Sequence, residues 1–510
     1  MNPLPPFAIS MWPPRPLSLR SRSMHALILL SLLLGVAGCF DEFNVPTCST
    51  LADCPEGAIA CHESGYCVLE VNAGDDIANA DAGDTGDADT GDADTGDEPD
   101  VEVHESACDP ADPEADHCMA WTRDLSEQFE SATVDPETAY GHERILIAGK
   151  STLGGRLVAL NPADGALDWT YDKDEEALRC PMAIGSVGIV TTNSTRVHGM
   201  SPSGEKLWTW DSEASVVGCP AAWSDGQRVF VAVDRGKDGG FLVFLEPTWS
   251  GEAPGVAIVH EAPLASLPTA SPTTSALEGT GMEDPRIVLA PTATGYQIHL
   301  ASTGDLVEGD ELEGSPLGEV AVSGNVSWAI SQSSEDDGSK RHWLSQTTYV
   351  PGGSESADDG ERITAELDFT PTSGPVLLGA GEARRMALVS QSGSLHLMNL
   401  QQEESAQTGT FWPIGSELAS PVITGDSDVV TLDQTEGEVR AYDAAGEITW
   451  SASLTDGLGL GSAAMNVIPQ HLIVTTRDGG IHAWRVNALG LSESSDWPRW
   501  RGNAASLGGE

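Results

Sequence analysis

A glycine followed four residues later by a tryptophan returns three times in the same surroundings: "ALNPADGALDWTYD" around Gly165 and Trp169, "GMSPSGEKLWTWD" around Gly204 and Trp208, and "RAYDAAGEITWSAS" around Gly446 and Trp450. Each copy places a turn between two short runs of strand-forming residues. A chain of 510 residues is too long for one ordinary core, and self-similarity at a spacing of tens of residues is the mark of a repeat architecture. Between Gly, Asp and Ser turns, eight pairs of strand-like runs can be read: "ILIAG/RLVAL", "GIVTT/RVHGM", "RVFVAV/FLVFL", "RIVLA/YQIHL", "VSWAI/HWLSQ", "MALVS/SLHLM", "VVTLD/EVRAY" and "LIVTT/GIHAW". Pairs of middle strands repeated in this way predict an all-β, eight-bladed propeller of four-stranded sheets over residues 108–510.

Two further features fit a ring. A small residue followed by proline precedes many of the pairs, at Cys180-Pro181, Cys219-Pro220, Ser271-Pro272, Ser315-Pro316 and Ser420-Pro421. Proline is tolerated on an edge strand, and the innermost strand of each blade has a free edge on the channel. Trp121-Thr122-Arg123-Asp124 resembles Trp169-Thr170-Tyr171-Asp172 and Trp208-Thr209-Trp210-Asp211, yet it stands before the first complete blade. It therefore reads as the outer strand of the last blade, with the first inner strand expected near "SATV" at 131–134. Cys180 and Cys219 occupy the same place in consecutive blades, each 11 residues after a tryptophan. Neighbouring inner strands can bring such residues within the roughly 4.4–6.8 Å Cα separation of a disulfide.

Ala159, Gly165 and Trp169 fit the pattern Ala-x-Asp-x-x-Thr-Gly-x-x-x-Trp, with Asn161 and Asp164 at the acidic and threonine positions. This resembles the tryptophan-docking repeat of quinoprotein-like (pyrroloquinoline quinone-like) β-propellers. The resemblance implies docking roles for Trp121, Trp169, Trp208 and Trp450. The closing "DWPRWRGNAASLG" is similar to a segment that accompanies many such repeats. A quinone-dependent dehydrogenase of this fold would carry two adjacent cysteines and a calcium-binding set of acidic and amide residues. The chain has no Cys-Cys pair, so the resemblance implies the fold without pyrroloquinoline quinone or Ca2+, and no cofactor is expected. A quinone-dependent oxidoreductase with a divergent site is the alternative. Another, by architecture, is an outer-membrane protein assembly factor, similar to the propeller lipoprotein of the β-barrel assembly machinery.

Residues 1–38 read as a signal peptide: Arg20 and Arg22 precede the apolar "ALILLSLLLGVAG". Val36-Ala37-Gly38-Cys39 resembles the lipobox of bacterial lipoproteins, which implies acylation of Cys39 and anchoring to a membrane, most simply the outer membrane, facing periplasm or exterior. Residues 39–72 form a small module with Cys48, Cys54, Cys61 and Cys67; an exported chain with an even set of cysteines favours disulfides, and four cysteines allow three pairings. Zinc is the rival reading, without the tight ligand spacing it prefers. Cys108 and Cys118 are placed to pair locally. Residues 73–107 include "DAGDTGDADTGDADTGDEPD", with no lysine or arginine between 73 and 103, and read as a disordered acidic linker. Such a linker spans about 30 Å as a coil and about 120 Å extended. Calcium binding by its aspartates lacks a defined ligand register.

The formal charge of −53 excludes recognition of nucleic acid through a basic face. "GKST" at Gly149–Thr152 lacks the first glycine of a phosphate loop, where Arg144 stands, and reads as a hairpin. His198, His299, His396 and His482 fall at equivalent places in third strands; blade-related positions lie around a wide ring and cannot converge on one metal ion. No catalytic constellation is present. The reading is a monomeric, non-catalytic scaffold that binds an envelope protein or extracellular ligand. On the face shared by hairpin loops and blade-to-blade connections lie "DRGKDGG" (Asp234 to Gly240), the segments before Cys180 and Cys219, and "SSEDDGSK", whose Glu335, Asp336 and Asp337 are candidate binding residues.

Overall fold

The computed structural model describes strand residues 58–61 and 67–69, residue 108, and residues 118–486 apart from 131, 136, 175, 224, 252, 278–284, 336–337, 350–361, 380–383, 401–409, 414–417, 426, 444 and 454–462. The chain divides into two units, 1–96 and 97–510. In the first, Ala58–Cys61 and Cys67–Leu69 form an antiparallel hairpin whose register places Cys61 opposite Cys67.

Among its described residues the second unit is built of eight antiparallel sheets, each running from an inner to an outer strand. Blades 1–7 follow in chain order over 139–174, 179–211, 215–263, 273–311, 315–367, 376–413 and 422–453. All eight expected pairs of middle strands are present. The fifth blade departs from the plain four-strand form, because its inner strand is broken into Ser315–Pro316 and Ala321–Ser323, both paired to Val326–Ser334.

Blade 8 is assembled from both ends of the propeller sequence. Ala463–Ile468, His471–Thr476 and Gly480–Arg485 supply three strands. Cys118–Asp124 supplies the fourth, with Trp121 opposite Ala483 and Asp124 opposite Gly480. The inner edge is joined as well: Asn466 Nδ2 donates to the Thr138 carbonyl at 3.3 Å. The first inner strand is Ala139–Gly141, later than the expected 131–134. The earlier residues are used between blades instead: the Val134 N–H bonds the Arg477 carbonyl, and Asp135 turns its carboxylate to blade 2.

Middle strands read as continuous apolar runs because both of their faces are covered. Successive side chains point to opposite faces of a strand. Thus Ile145 and Ile147 pack toward blade 8 with Ile473 and Ile481, whereas Leu146 and Ala148 pack toward blade 2 with Ala183 and Ile189. The core is accordingly a series of apolar layers between blades.

The Gly-x-x-x-Trp repeat locks one blade to the next. Trp121, from the closing strand, lies on the turn of blade 1 and donates its Nε1 proton to the Pro162 carbonyl at 2.9 Å. Arg123 Nη1 donates to the Gly165 carbonyl at 2.7 Å. Gly165 has φ +65°, and a Cβ there would come within 2.6 Å of the Trp121 ring. Only glycine meets both demands. Trp169 makes the same approach to Gly204 of blade 2. Trp208 differs: its ring covers Gly199 and meets Trp249 edge-on, with centroids 5.5 Å apart. Trp450 is buried with the apolar residues between blades 7 and 8. In blade 3 a histidine takes the tryptophan's place, with the His260 ring against Gly304 of blade 4.

Candidate binding site at the channel mouth

Antiparallel order puts two sets of connections on one face: the hairpins between second and third strands, and the links from an outer strand to the next inner strand. The central channel opens there into a cavity of about 620 Å³ lined by residues of blades 2, 3, 5, 7 and 8 and of the connections leading into blades 1, 4 and 6. Both apolar and polar side chains line it: Leu418, Val422, Met465, Gln434 and Arg477 on the side of blades 7 and 8, and Val134, Asp135, Leu178, Arg179, the two cysteines, Ser271 and Glu319 from the lead into blade 1 round to blade 5.

A disulfide joins Cys180, near the start of the inner strand of blade 2, to Cys219, at a register shift within that of blade 3, with Cα atoms 5.5 Å apart. The backbone brings them together by special conformations on both sides. Cys180 has φ +56°, sparsely populated for a residue with a side chain. Gly218 has φ +66°, and a Cβ there would approach the Ser271 nitrogen to 2.4 Å, so this position needs glycine. Each cysteine N–H is then taken by a polar side chain. Cys180 N–H donates to Asp135 Oδ2 at 2.6 Å. Cys219 N–H donates to Ser271 Oγ at 2.8 Å, and the Ser271 hydroxyl donates in turn to Glu319 Oε1 at 2.6 Å. The result is an arc from blade 1 to blade 5 in which a carboxylate is held at each end of the disulfide. Arg179 donates from Nη2 to the Val216 carbonyl at 2.9 Å, while Arg477 stands exposed on the blade 8 hairpin.

The residues singled out in the sequence fall into different places. Cys108 and Cys118 are disulfide-bonded at the entry to the closing strand, with Cα atoms 5.0 Å apart. Cys39, Cys48, Cys54, Asp336 and Asp337 lie outside the described residues. Glu335 sits on its hairpin, ion-paired with Arg341 at 3.1 Å, and does not line the cavity. His198, His299, His396 and His482 lie in third strands. His198 Nδ1 meets Thr209 Oγ1 at 3.1 Å, and His299 Nδ1 donates to the Gly304 carbonyl at 3.1 Å. His396 stacks on Phe369 at 3.7 Å. Burial lowers the pKa of both His299 and His396. Asp135 and Glu319 escaped the sequence reading, and Ser271 entered it only as a residue that precedes proline, as both channel cysteines do.

The bonded cysteines of the mouth come from consecutive blades rather than adjacent positions, and among the described residues no group of three or more His, Cys, Asp or Glu could hold a metal ion.

Residues 114–248 match the family model described as outer membrane protein assembly factor BamB. Among solved structures, BamB from Moraxella catarrhalis aligns with a TM-score of 0.51 at 16% identity, over 72% of this chain and 99% of that one. Sqt1 from Saccharomyces cerevisiae aligns with a TM-score of 0.53 at 10% identity, over 73% of this chain and all (100%) of that one. No curated protein sequence matches the chain. At these identities the structural likeness is one of fold.

Proposed function

We propose, from the premise that the ring is a PQQ-like β-propeller of the BamB type, that this protein is a lipid-anchored, non-catalytic binding scaffold of the cell envelope. Its recognition face is the channel mouth. The observation that carries the reading is the cavity of about 620 Å³ to which each blade, or the connection leading into it, contributes, a size typical of ligand sites. Recognition residues gather on connections held by a rigid scaffold, and here the hydrogen-bonded arc fixes the connections between blades 1 and 5. The sequence Val36-Ala37-Gly38-Cys39 supports the anchor, because several acyl chains on one cysteine hold a protein to a membrane where one would not. A narrower reading, an outer-membrane protein assembly factor, draws on the family match over 114–248.

Two measurements test the proposal in cells. Cys39→Ser should leave the protein unacylated and released from membranes; retention at high salt would remove the lipid anchor. A photo-cross-linking residue at Thr372, on the mouth, should give a discrete adduct with one envelope protein, whereas one at Ala163, on the opposite face, should not. Equal adducts from both positions would discard the mouth as the recognition face.

A further inference from the structure

We infer that the channel mouth takes a peptide segment in which a lysine or arginine is flanked by apolar residues. This rests on the mouth being the recognition face and names the chemistry that it selects. The apolar side chains of Leu418, Val422 and Met465 line the same cavity as Asp135 and Glu319, so an apolar side chain and a cation can be satisfied together. Both carboxylates are oriented in advance. Asp135 accepts the backbone N–H groups of Cys180 at 2.6 Å and Glu137 at 3.2 Å. Glu319 accepts the Ser271 hydroxyl. A carboxylate has about four lone-pair sites, so oxygens fixed by such bonds still accept an ammonium or guanidinium donor. Preorganised groups lose little freedom on binding.

The mouth also contains Arg179 and Arg477. Arg179 directs one guanidinium nitrogen to a backbone carbonyl, and Arg477 is exposed at the rim, where solvent screens its charge. The field of the whole molecule decides the sign. With 78 acidic against 25 basic residues, it concentrates cations near the surface and repels anionic ligands. The cavity volume accommodates a few residues of chain rather than a folded domain.

Calorimetric titration of the full chain with three blocked pentapeptides tests the inference: acetyl-Ala-Leu-Lys-Leu-Ala-amide and its counterparts with glutamine or glutamate at the centre. The lysine peptide should bind at least tenfold tighter than the glutamate peptide, with glutamine between. Asp135→Asn and Glu319→Gln keep an acceptor oxygen for the internal bonds, and each should weaken the lysine peptide about fivefold or more at unchanged thermal midpoint. In the unsubstituted protein, the Met465 methyl resonance should shift with the lysine peptide, which keeps the test open should either variant fold poorly. Binding that ignores the central charge, or no binding and no Met465 shift at millimolar peptide, overturns the inference. If Thr372 still cross-links a single envelope protein in that case, the recognition face stands and only the ligand chemistry falls.

Discussion

Gly165 shows how much one residue without a side chain decides. An alanine there would occupy a left-handed conformation and press a methyl group into the Trp121 ring. The conformational cost is about 1–2 kcal/mol, and forcing atoms into a packed site adds about 1–3 kcal/mol. Gly236 also has positive φ, at +63°, but a Cβ there would meet nothing within 4 Å. Gly165→Ala should therefore lower the thermal midpoint clearly more than Gly236→Ala, by roughly 1–3 kcal/mol in stability; equal losses would mean that the tryptophan contact contributes nothing. Docking at Gly165 and Gly204 was legible because tryptophan is distinctive and stands at a fixed spacing from a glycine in each copy. His260 was not legible in the same role, since a histidine at an unremarkable spacing carries no such signature. Asp135 and Glu319 were hidden for another reason: they lie 184 residues apart in sequence, on irregular connections, and meet only when the ring is built.

Third strands carry the histidines, and their burial has a consequence that depends on pH. In His299 and His396 the folded-state pKa is lowered, chiefly because burial disfavours the charged ring. The unfolded chain then binds protons more readily, starting near the ordinary histidine value of about 6.5. Their stabilising contribution is complete above that pH and is lost as pH falls toward the lowered folded values. The thermal midpoint should drop between pH 7 and pH 5, and His299→Gln should flatten that slope; an unchanged slope would exclude this imidazole as a source. Blade 5 shows where element reading weakens. Its repeat signature is faint, and buried hydroxyls add to the apolar layer that it shares with blade 4. Tyr349 donates to Tyr296 Oη at 2.7 Å, and Tyr296 donates to Asp310 at 2.9 Å. Arg362 Nη1 reaches the other oxygen of Asp310 at 2.6 Å. Such a network depends on side chains meeting across sheets, which strand periodicity does not report.

At the scale of the whole molecule, closure is the decisive event. The strand Cys118–Asp124 covers the edge of Gly480–Arg485, and a long unpaired edge invites association. Deleting residues through 126 should therefore lower the thermal midpoint and cause aggregation, whereas deletion through 104 should leave both unchanged; identical behaviour of the two truncations would refute closure by this strand. The architecture was legible because eight pairs of middle strands and one orphan "WTRD" segment already imply a ring, whereas the mouth exists only as a product of that ring. Closure also has a consequence in time. Asp124 waits for Gly480, its partner 356 positions later, and at roughly 5–20 residues per second synthesis alone separates them by about 20–70 s. During that interval the first strand has no blade to join, so the nascent chain must remain unaggregated with its beginning unpaired. The last strands to appear release the first from that wait, and a chain that stops short of residue 480 never closes.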